Sequence, residues 1–262
     1  MIPRLVASDL DGTLVRSDGT ISARTREALA AIETAGVPLV LVTGRPPRWM
    51  KSIADQTGHR GIAVCANGAL VYDLHTEQVL HHFLLPGEVG LDVAAQLRSH
   101  IPGVAFAVEY HDRPFGHEDT YRPRWDSQDG KVVAPIEQLL SRDVVKLLAR
   151  HPTLGPDDFL AQAYAVVGEQ CTVTHSSTDG LLEISALGVS KATGLALVAQ
   201  EHDVPAAGVV AFGDMPNDLP MLEWAGLGIA VANAHPAVLS AADEVCASHD
   251  EDGVAEVLAR WF

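Results

Sequence analysis

Basic residues are scarce in this sequence: 18 Lys and Arg stand against 34 Asp and Glu, a formal net charge of −16 over 262 residues. Nucleic acid and anionic membrane surfaces are both bound through positive charge, so neither is the expected partner. A small molecule, or one neutralised by a metal, is. Long apolar runs are also lacking. Stretches such as residues 37–42 fall far below the roughly 20 residues a membrane helix needs and read as buried strands. No apolar signal region or small-residue cleavage site is completed before Asp9 and Asp11, so export is not expected and a cytoplasmic address is. Cysteine is sparse. Cys65, Cys171 and Cys246 are odd in number and lack the paired spacing of a metal site, which points to free, mostly buried thiols. There is no internal repeat and no low-complexity tract. With 47% hydrophobic residues the chain can bury a substantial core, as one large domain or two smaller ones.

Strand and helix signals alternate. Residues 5–8 form a short apolar strand candidate, followed at 22–35 by a helix that Ser22 can cap and Gly36 can end. Residues 37–42 read as a parallel strand buried on both faces, with a helix near 47–56 and a strand at 62–65 after it. From about His81, Pro, His and charged residues become frequent, and a helical stretch at 89–100 sits among short strand candidates such as 104–108. The earlier rhythm resumes with a helix at 191–202, a strand at 209–212, a helix at 218–225 and a strand at 228–231. The fold class is therefore expected to be α/β. A Rossmann-like, doubly wound parallel sheet core comprises residues 1–82 and 185–262, and a smaller α/β module is inserted at 83–184.

Four groups of residues carry chemistry. Asp9-Leu10-Asp11-Gly12-Thr13 follows the first strand, where open parallel sheets place their ligands. Two carboxylates one residue apart can divide a reaction, Asp9 meeting a cation and attacking phosphorus while Asp11 handles the leaving-group proton. Asp11-Gly12 between two apolar stretches is equally a hairpin turn signal, and these residues alone leave both readings open. Thr43-Gly44-Arg45 ends a second strand with a hydroxyl, a glycine permitting close approach and a guanidinium, a set that suits phosphate oxygens or simply caps the next helix. Lys191 opens a helix after Gly188-Val189-Ser190, where its ammonium could neutralise a phosphoryl group or lie in solvent. Gly213-Asp214-Met215-Pro216-Asn217-Asp218 supplies two carboxylates and an amide, hard oxygen ligands of the kind Mg²⁺ takes, or an acidic helix cap. Their common order along the chain favours one site with nucleophile, acid, phosphate clamps and metal ligands.

At these residues the chain resembles the haloacid dehalogenase superfamily, specifically its Cof-type phosphatases with an α/β (C2B-type) cap inserted after the third core strand. The resemblance spans almost the whole length. It is carried by Asp9-Leu10-Asp11-Gly12-Thr13-Leu14, Thr43-Gly44-Arg45, Asn67-Gly68-Ala69, Gly188-Val189-Ser190-Lys191 and the run from Gly213 to Leu222. Ala232-Asn233-Ala234 is similar too, whereas Ala230-Val231 departs from the Met-Gly pair often found there. The resemblance implies that Asp9 is the nucleophile, Asp11 the acid and then base, and Thr43, Gly44, Lys191 and Asn217 the phosphate binders. It implies Mg²⁺ held by Asp9, Asp214 and the Asp11 backbone carbonyl. Asp218 would then hold metal-bound water or Lys191, and Arg45 and Asn67 would contact substrate.

The implied activity is Mg²⁺-dependent hydrolysis of small phosphate monoesters, sugar phosphates first and nucleotides, flavin mononucleotide and pyridoxal phosphate behind. A phosphomutase or phosphotransferase on the same scaffold and a catalytically silent metabolite-binding protein are the alternatives. The inserted module is expected to close over the site and choose the substrate, with His111, His117, His175 and Asp179 read as exposed polar surface and His81-His82 as hinge-region surface.

Overall fold

Leu5, Val6 and Ala7 offer no polar face, so the strand they form must be covered on both sides. In the computed structural model, which describes residues 2–123 and 130–262, they and Ser8 make β1 (Leu5–Ser8), wholly buried. The chain continues through α1 (Ala23–Thr34), β2 (Leu39–Val42), α2 (Met50–Thr57), β3 (Ile62–Cys65), β4 (Leu70–Asp73) and β5 (Gln78–His82). Ser22 caps α1 by accepting from the Thr25 amide. Pro46-Pro47 removes two amide donors, so a 3₁₀ turn at Pro47–Trp49 precedes α2 where the sequence suggests one continuous helix.

Ala66, Asn67 and Gly68 all have positive φ (52°, 58° and 96°) and reverse the chain, so β4 runs antiparallel to β3. β4 and β5 therefore lie between the third strand and the second unit. The turn is pinned from two sides. The Asn67 amide donates to the Thr43 carbonyl at 3.0 Å, and a Cβ on Gly68 would lie 1.8 Å from the Ser190 carbonyl oxygen, so only glycine fits.

The chain divides into two units, Met1–His81 with Ser190–Phe262, and His82–Val189. The second unit contains α3 (Gly87–His100), β6 (Ala105–Glu109), β7 (Gly116–His117), β8 (Val132–Val133), α4 (Ile136–Leu139), β9 (Lys146–Arg150), α5 (Pro156–Val167), β10 (Cys171–Thr174) and β11 (Leu181–Ala186). Its sheet has the order β10-β11-β9-β6-β7-β8. Alternation assigns the faces. Phe106, Val108, Leu147, Ala149, Leu182 and Ile184 pack with Leu97 and Phe159 of the helices, while Ala105, Ala107 and Leu148 join Phe115 and Tyr121 in a separate small cluster.

Two of the histidines expected at the surface are buried. His117 pairs in register with Ala107 and lies against the Phe115 and Tyr121 rings, and His175 Nε2 meets Asp157 Oδ1 at 2.9 Å. Asp179 is half-buried against Arg150 Nη1 at 2.8 Å, whereas His111 is exposed and stacks on His82.

The first unit resumes with α6 (Lys191–Glu201), β12 (Val209–Gly213), α7 (Leu219–Trp224), β13 (Leu227–Val231), α8 (Pro236–Ala241), β14 (Glu244–Cys246) and α9 (Gly253–Leu258). Its sheet has the order β14-β13-β12-β1-β2-β3-β4-β5, parallel from β14 to β3. The fold is α/β. Cys65, Cys171 and Cys246 are free and buried. Among the described residues no helix is long and apolar enough to cross a membrane.

Inside the second unit Lys146 Nζ lies 2.5 Å from Glu183 Oε1, with side chains only 3% and 7% exposed. Breaking a buried pair strands one charge, so Lys146→Met should cost about 3–5 kcal/mol in denaturant unfolding, while adding Glu183→Leu should recover most of it. Equal destabilisation by the single and double variants would contradict this account.

Candidate active site

β1 is the hub of the first sheet, flanked by β2 and β12, and its register pairs Ser8 with Leu41 on one side and Phe212 on the other. The residues that follow these three strands, Asp9, Thr43 and Asp214, therefore emerge side by side at their carboxyl ends, where parallel sheets bind ligands. The Asp9 amide donates to the Phe212 carbonyl at 2.9 Å, so β1 pairs on into the motif and the hairpin reading of Asp11-Gly12 fails. Gly12 instead adopts φ 83°, and a Cβ there would come within 2.3 Å of Asp214 Oδ2. Glycine lets the two acidic loops touch.

Lys191 joins them. It is the first residue of α6, where the helix macrodipole disfavours a cation, and it is 1% exposed. Its ammonium is held by Asp9 Oδ1 at 2.5 Å and Asp218 Oδ1 at 2.6 Å. Desolvation works against the charged lysine, but the fields of Asp218 and Asp9 outweigh it and raise its pKa. One of the three ammonium hydrogens remains available for a further acceptor.

The 213–218 loop closes on itself. Asp218 Oδ2 accepts from the Asp214 and Met215 amides at 3.0 Å each, so both Asp218 oxygens are engaged and its carboxylate holds Lys191 in place. Asp214 Oδ1 accepts from Thr13 Oγ1 at 3.1 Å. Asn217 Nδ2 donates to Asn67 Oδ1 at 3.0 Å, leaving Asn67 Nδ2 and Asn217 Oδ1 buried without partners. Turning both amides over would still leave one donor and one acceptor unmet.

Oxygens of Asp9, Asp214 and Asp218 lie within 4.8 Å of one another, all buried. Three carboxylates against one ammonium leave two negative charges in excess. Burial, then the field of Asp218, pushes the Asp214 carboxyl up to about 7, against the opposing pull of Lys191 and of its hydrogen bonds with Thr13 and Asp9. Burial likewise raises Asp9 well above the usual carboxylate range, with Lys191 pulling the other way. Hard oxygen donors with an uncompensated double charge fit a divalent cation such as Mg²⁺. Since Lys191 and two amides occupy Asp218, the free donor capacity of the cluster lies on Asp9 and Asp214.

The structure thus gathers Asp9, Lys191, Asp214 and Asp218 directly, and joins Asn217 to Asn67. Thr43 is buried, with its Oγ1 accepting from the Arg45 amide at 3.1 Å, and Gly44 lies between them. Asp11 stands apart: its side chain is 54% exposed and ion-paired to Arg45. The sequence reading did not single out Thr13 or Asn233 as site residues. Asn233 Nδ2 donates to the Gly12 carbonyl at 2.8 Å, and both residues lie in motifs already noted for other members.

A profile of haloacid dehalogenase-like hydrolases matches residues 6–258, and the chain belongs to that family. It is 31% identical to a 5-amino-6-(5-phospho-D-ribitylamino)uracil phosphatase of Bacillus subtilis over 99% of this chain and 98% of that one. It is 30% identical to a pyridoxal phosphate phosphatase of Escherichia coli over 98% of both. A chloroplast endoribonuclease YBEY of Arabidopsis thaliana matches at 29% over 97% of this chain, which spans only 45% of that protein. A solved haloacid dehalogenase-like hydrolase of B. subtilis superposes with a TM-score of 0.84 at 25% identity, over 99% of this chain and all of that one.

A carboxyl raised above its ordinary 3.8 contributes stability that is full at low pH and is lost as pH climbs through about 7. In EDTA-treated protein, the melting temperature of wild type relative to Asp214→Asn should fall between about pH 4 and 8, and Mg²⁺ should flatten the slope. A rising difference over that window would contradict the charge excess.

Proposed function

We propose that the chain hydrolyses phosphate monoesters of small metabolites in a Mg²⁺-dependent reaction, forming an aspartyl-phosphate on Asp9. The observation that carries this reading is the Lys191 ammonium fixed between Asp9 and Asp218 beside Asp214. A phosphate dianion repels an incoming carboxylate, and a held cation offsets that repulsion where it arises. Asp9 and Asp214, with the Asp11 backbone carbonyl, would hold Mg²⁺. When bound, the metal supplies the remaining positive charge against the transferring phosphoryl group.

In the first step an Asp9 carboxylate oxygen bonds to phosphorus, the ester P–O bond breaks, and Asp11 donates a proton to the departing alkoxide. In the second, Asp11 removes a proton from water as the water oxygen bonds to phosphorus, and the acyl phosphate bond to Asp9 breaks. Phosphate leaves and both carboxyls return to their starting states. Lys191 offers its remaining N–H to a phosphoryl oxygen, and Thr43, Gly44, Asn217 and Asn67 line the same group. Asp218 keeps the ammonium oriented throughout.

Sugar phosphates are the proposed substrate class. Support comes from the B. subtilis relative, whose name carries a phosphorylated ribityl chain, and from the E. coli relative named for pyridoxal phosphate, another small phosphorylated metabolite.

Phosphate release from sugar phosphates, nucleotides, flavin mononucleotide and pyridoxal phosphate, with Mg²⁺ or with EDTA, tests the reading. Turnover should need the metal and fall by roughly a thousand-fold or more in Asp9→Asn, as expected for loss of a nucleophile. Equal activity in the variant would sink the covalent mechanism. Transfer only to an added sugar phosphate would point to a phosphotransferase, and binding without turnover to a silent receptor.

A further inference from the structure

A cavity of about 290 Å³ lies between α2 and the β4–β5 hairpin, and no residue of the candidate active site lines it. Arg48, Lys51 and Asp55 recur at intervals of three and four, so they share one face of the turn and helix that make one wall. Arg60 joins them from the loop beyond α2, while Tyr72 in β4 and the buried Leu74 just after it supply an apolar wall. Three cations face two carboxylates, Asp55 and Glu77, an excess of one positive charge with His75 neutral. That is a local reversal in a chain whose formal charge is −16.

Asp55 organises the cations. Its Oδ2 accepts from Lys51 Nζ at 3.2 Å and its Oδ1 from Arg60 Nη2 at 3.1 Å, so one carboxylate draws two cations to the same place. Those bonds, the one from Lys51 first, hold its carboxyl below the usual carboxylate range. Arg60 Nη1 also donates to the His59 carbonyl at 3.2 Å, and the Arg48 guanidinium lies over the Trp49 ring, 5.2 Å from its centroid, so both guanidinium groups have a set direction. Lys51 spends one of three ammonium hydrogens on Asp55. It stands in the first turn of α2, where the macrodipole opposes a cation and favours an anion, and that turn holds no acidic residue.

We propose that this cavity is a second ligand site, for a small organic anion whose phosphoryl or carboxylate head lies among Arg48, Lys51 and Arg60 while its apolar body rests on Tyr72 and Leu74. The volume is at the small end of ligand pockets, room for a single ring or a short chain, and an apolar body with a few convergent polar groups is their usual make-up. The head sits at the mouth, where the Lys51 and Arg60 side chains are 76% and 46% exposed, and the body points inward. An anion there offsets the excess charge and completes the start of α2. Binding requires neither a metal nor Asp9, so the site stands or falls separately from the phosphatase reading.

Amide chemical shifts of the EDTA-treated full chain, recorded by NMR at fixed ionic strength, test this with three one-ring probes: phenylphosphonate, whose C–P bond the proposed hydrolysis cannot cleave, benzoate, and the neutral benzyl alcohol. At least one anion should give saturable shifts at residues 48–60 and 72–77 in the millimolar range or below, and the alcohol should not. The anion bound more tightly identifies the head as phosphoryl or carboxylate. Lys51→Gln combined with Arg60→Gln should weaken that binding roughly ten-fold or more through lost charge-assisted hydrogen bonds, while any shifts at residues 9–13 and 213–218 keep their wild-type midpoint. Arg48→Gln should act in the same direction. All three side chains are at the surface, so the variants should fold, and thermal unfolding checks that they do. Equal affinity for benzyl alcohol, an unchanged midpoint around the cavity in both variants, or no saturable shift there with either anion would overturn the site.

Discussion

Burying the Lys191 ammonium at the first turn of α6 is the constraint from which the site follows. Taking such an ion out of water costs several kcal/mol even after relaxation, and the helix N-terminus adds to the cost. Only close carboxylates can offset it, and they come from two loops far apart in sequence, Asp9 after β1 and Asp218 after β12. Those strands are neighbours in the sheet, so the lysine ties α6 across them. Asp218 can serve this purpose because its second oxygen is saturated by the amides of its own loop. A carboxylate so fully used has little left for a metal or a substrate.

The arrangement leaves Asp9 with a divided character. One oxygen faces the lysine that tempers its charge, and the carboxyl as a whole is buried and crowded by Asp218 and Asp214. Burial with too many like charges favours protonation, and a protonated carboxyl is no nucleophile. The excess of two charges is therefore a chemical demand as much as an electrostatic imbalance, one that a divalent cation on Asp9 and Asp214 would meet under the proposed mechanism. Asp11, half-exposed and held by an arginine, is kept out of that crowd. Two acids in one short motif thus meet opposite surroundings.

How much of this was legible in sequence depended on whether the signal was local. The motifs around Asp9, Thr43 and Asp214 could be read because each sits directly behind an apolar strand, and parallel pairing brings strand ends together without further information. Lys191 could be placed at a helix start, but its burial between two carboxylates 182 and 27 positions away could not. The Arg45–Asp11 pair, 34 positions apart, was hidden for the same reason, since both residues already had separate assignments. β4 and β5 escape the sequence reading because Asn67 is taken there as a substrate contact, although Asn67-Gly68 is also strong turn chemistry. His117 and His175 were misread because exposure follows from strand register and from a distant aspartate, neither of which composition reveals.

The turn at residues 66–68 shows how far the fold goes to keep the site rigid. Two non-glycine residues in the left-handed region cost of order 1–3 kcal/mol each, and such strain persists only where its surroundings over-determine it. Here they do. The Thr43 and Arg45 carbonyls accept the Asn67 and Ala66 amides, Gly68 abuts the Ser190 carbonyl, and Asn217 grips the Asn67 side chain. One strained turn therefore fixes the Thr43 loop, the start of α6 and the 213–218 loop relative to one another. Three elements that carry the residues proposed to bind phosphate are held by a fourth. Preorganisation of that kind is what lets fixed donors stabilise developing charge without reorganising as it forms.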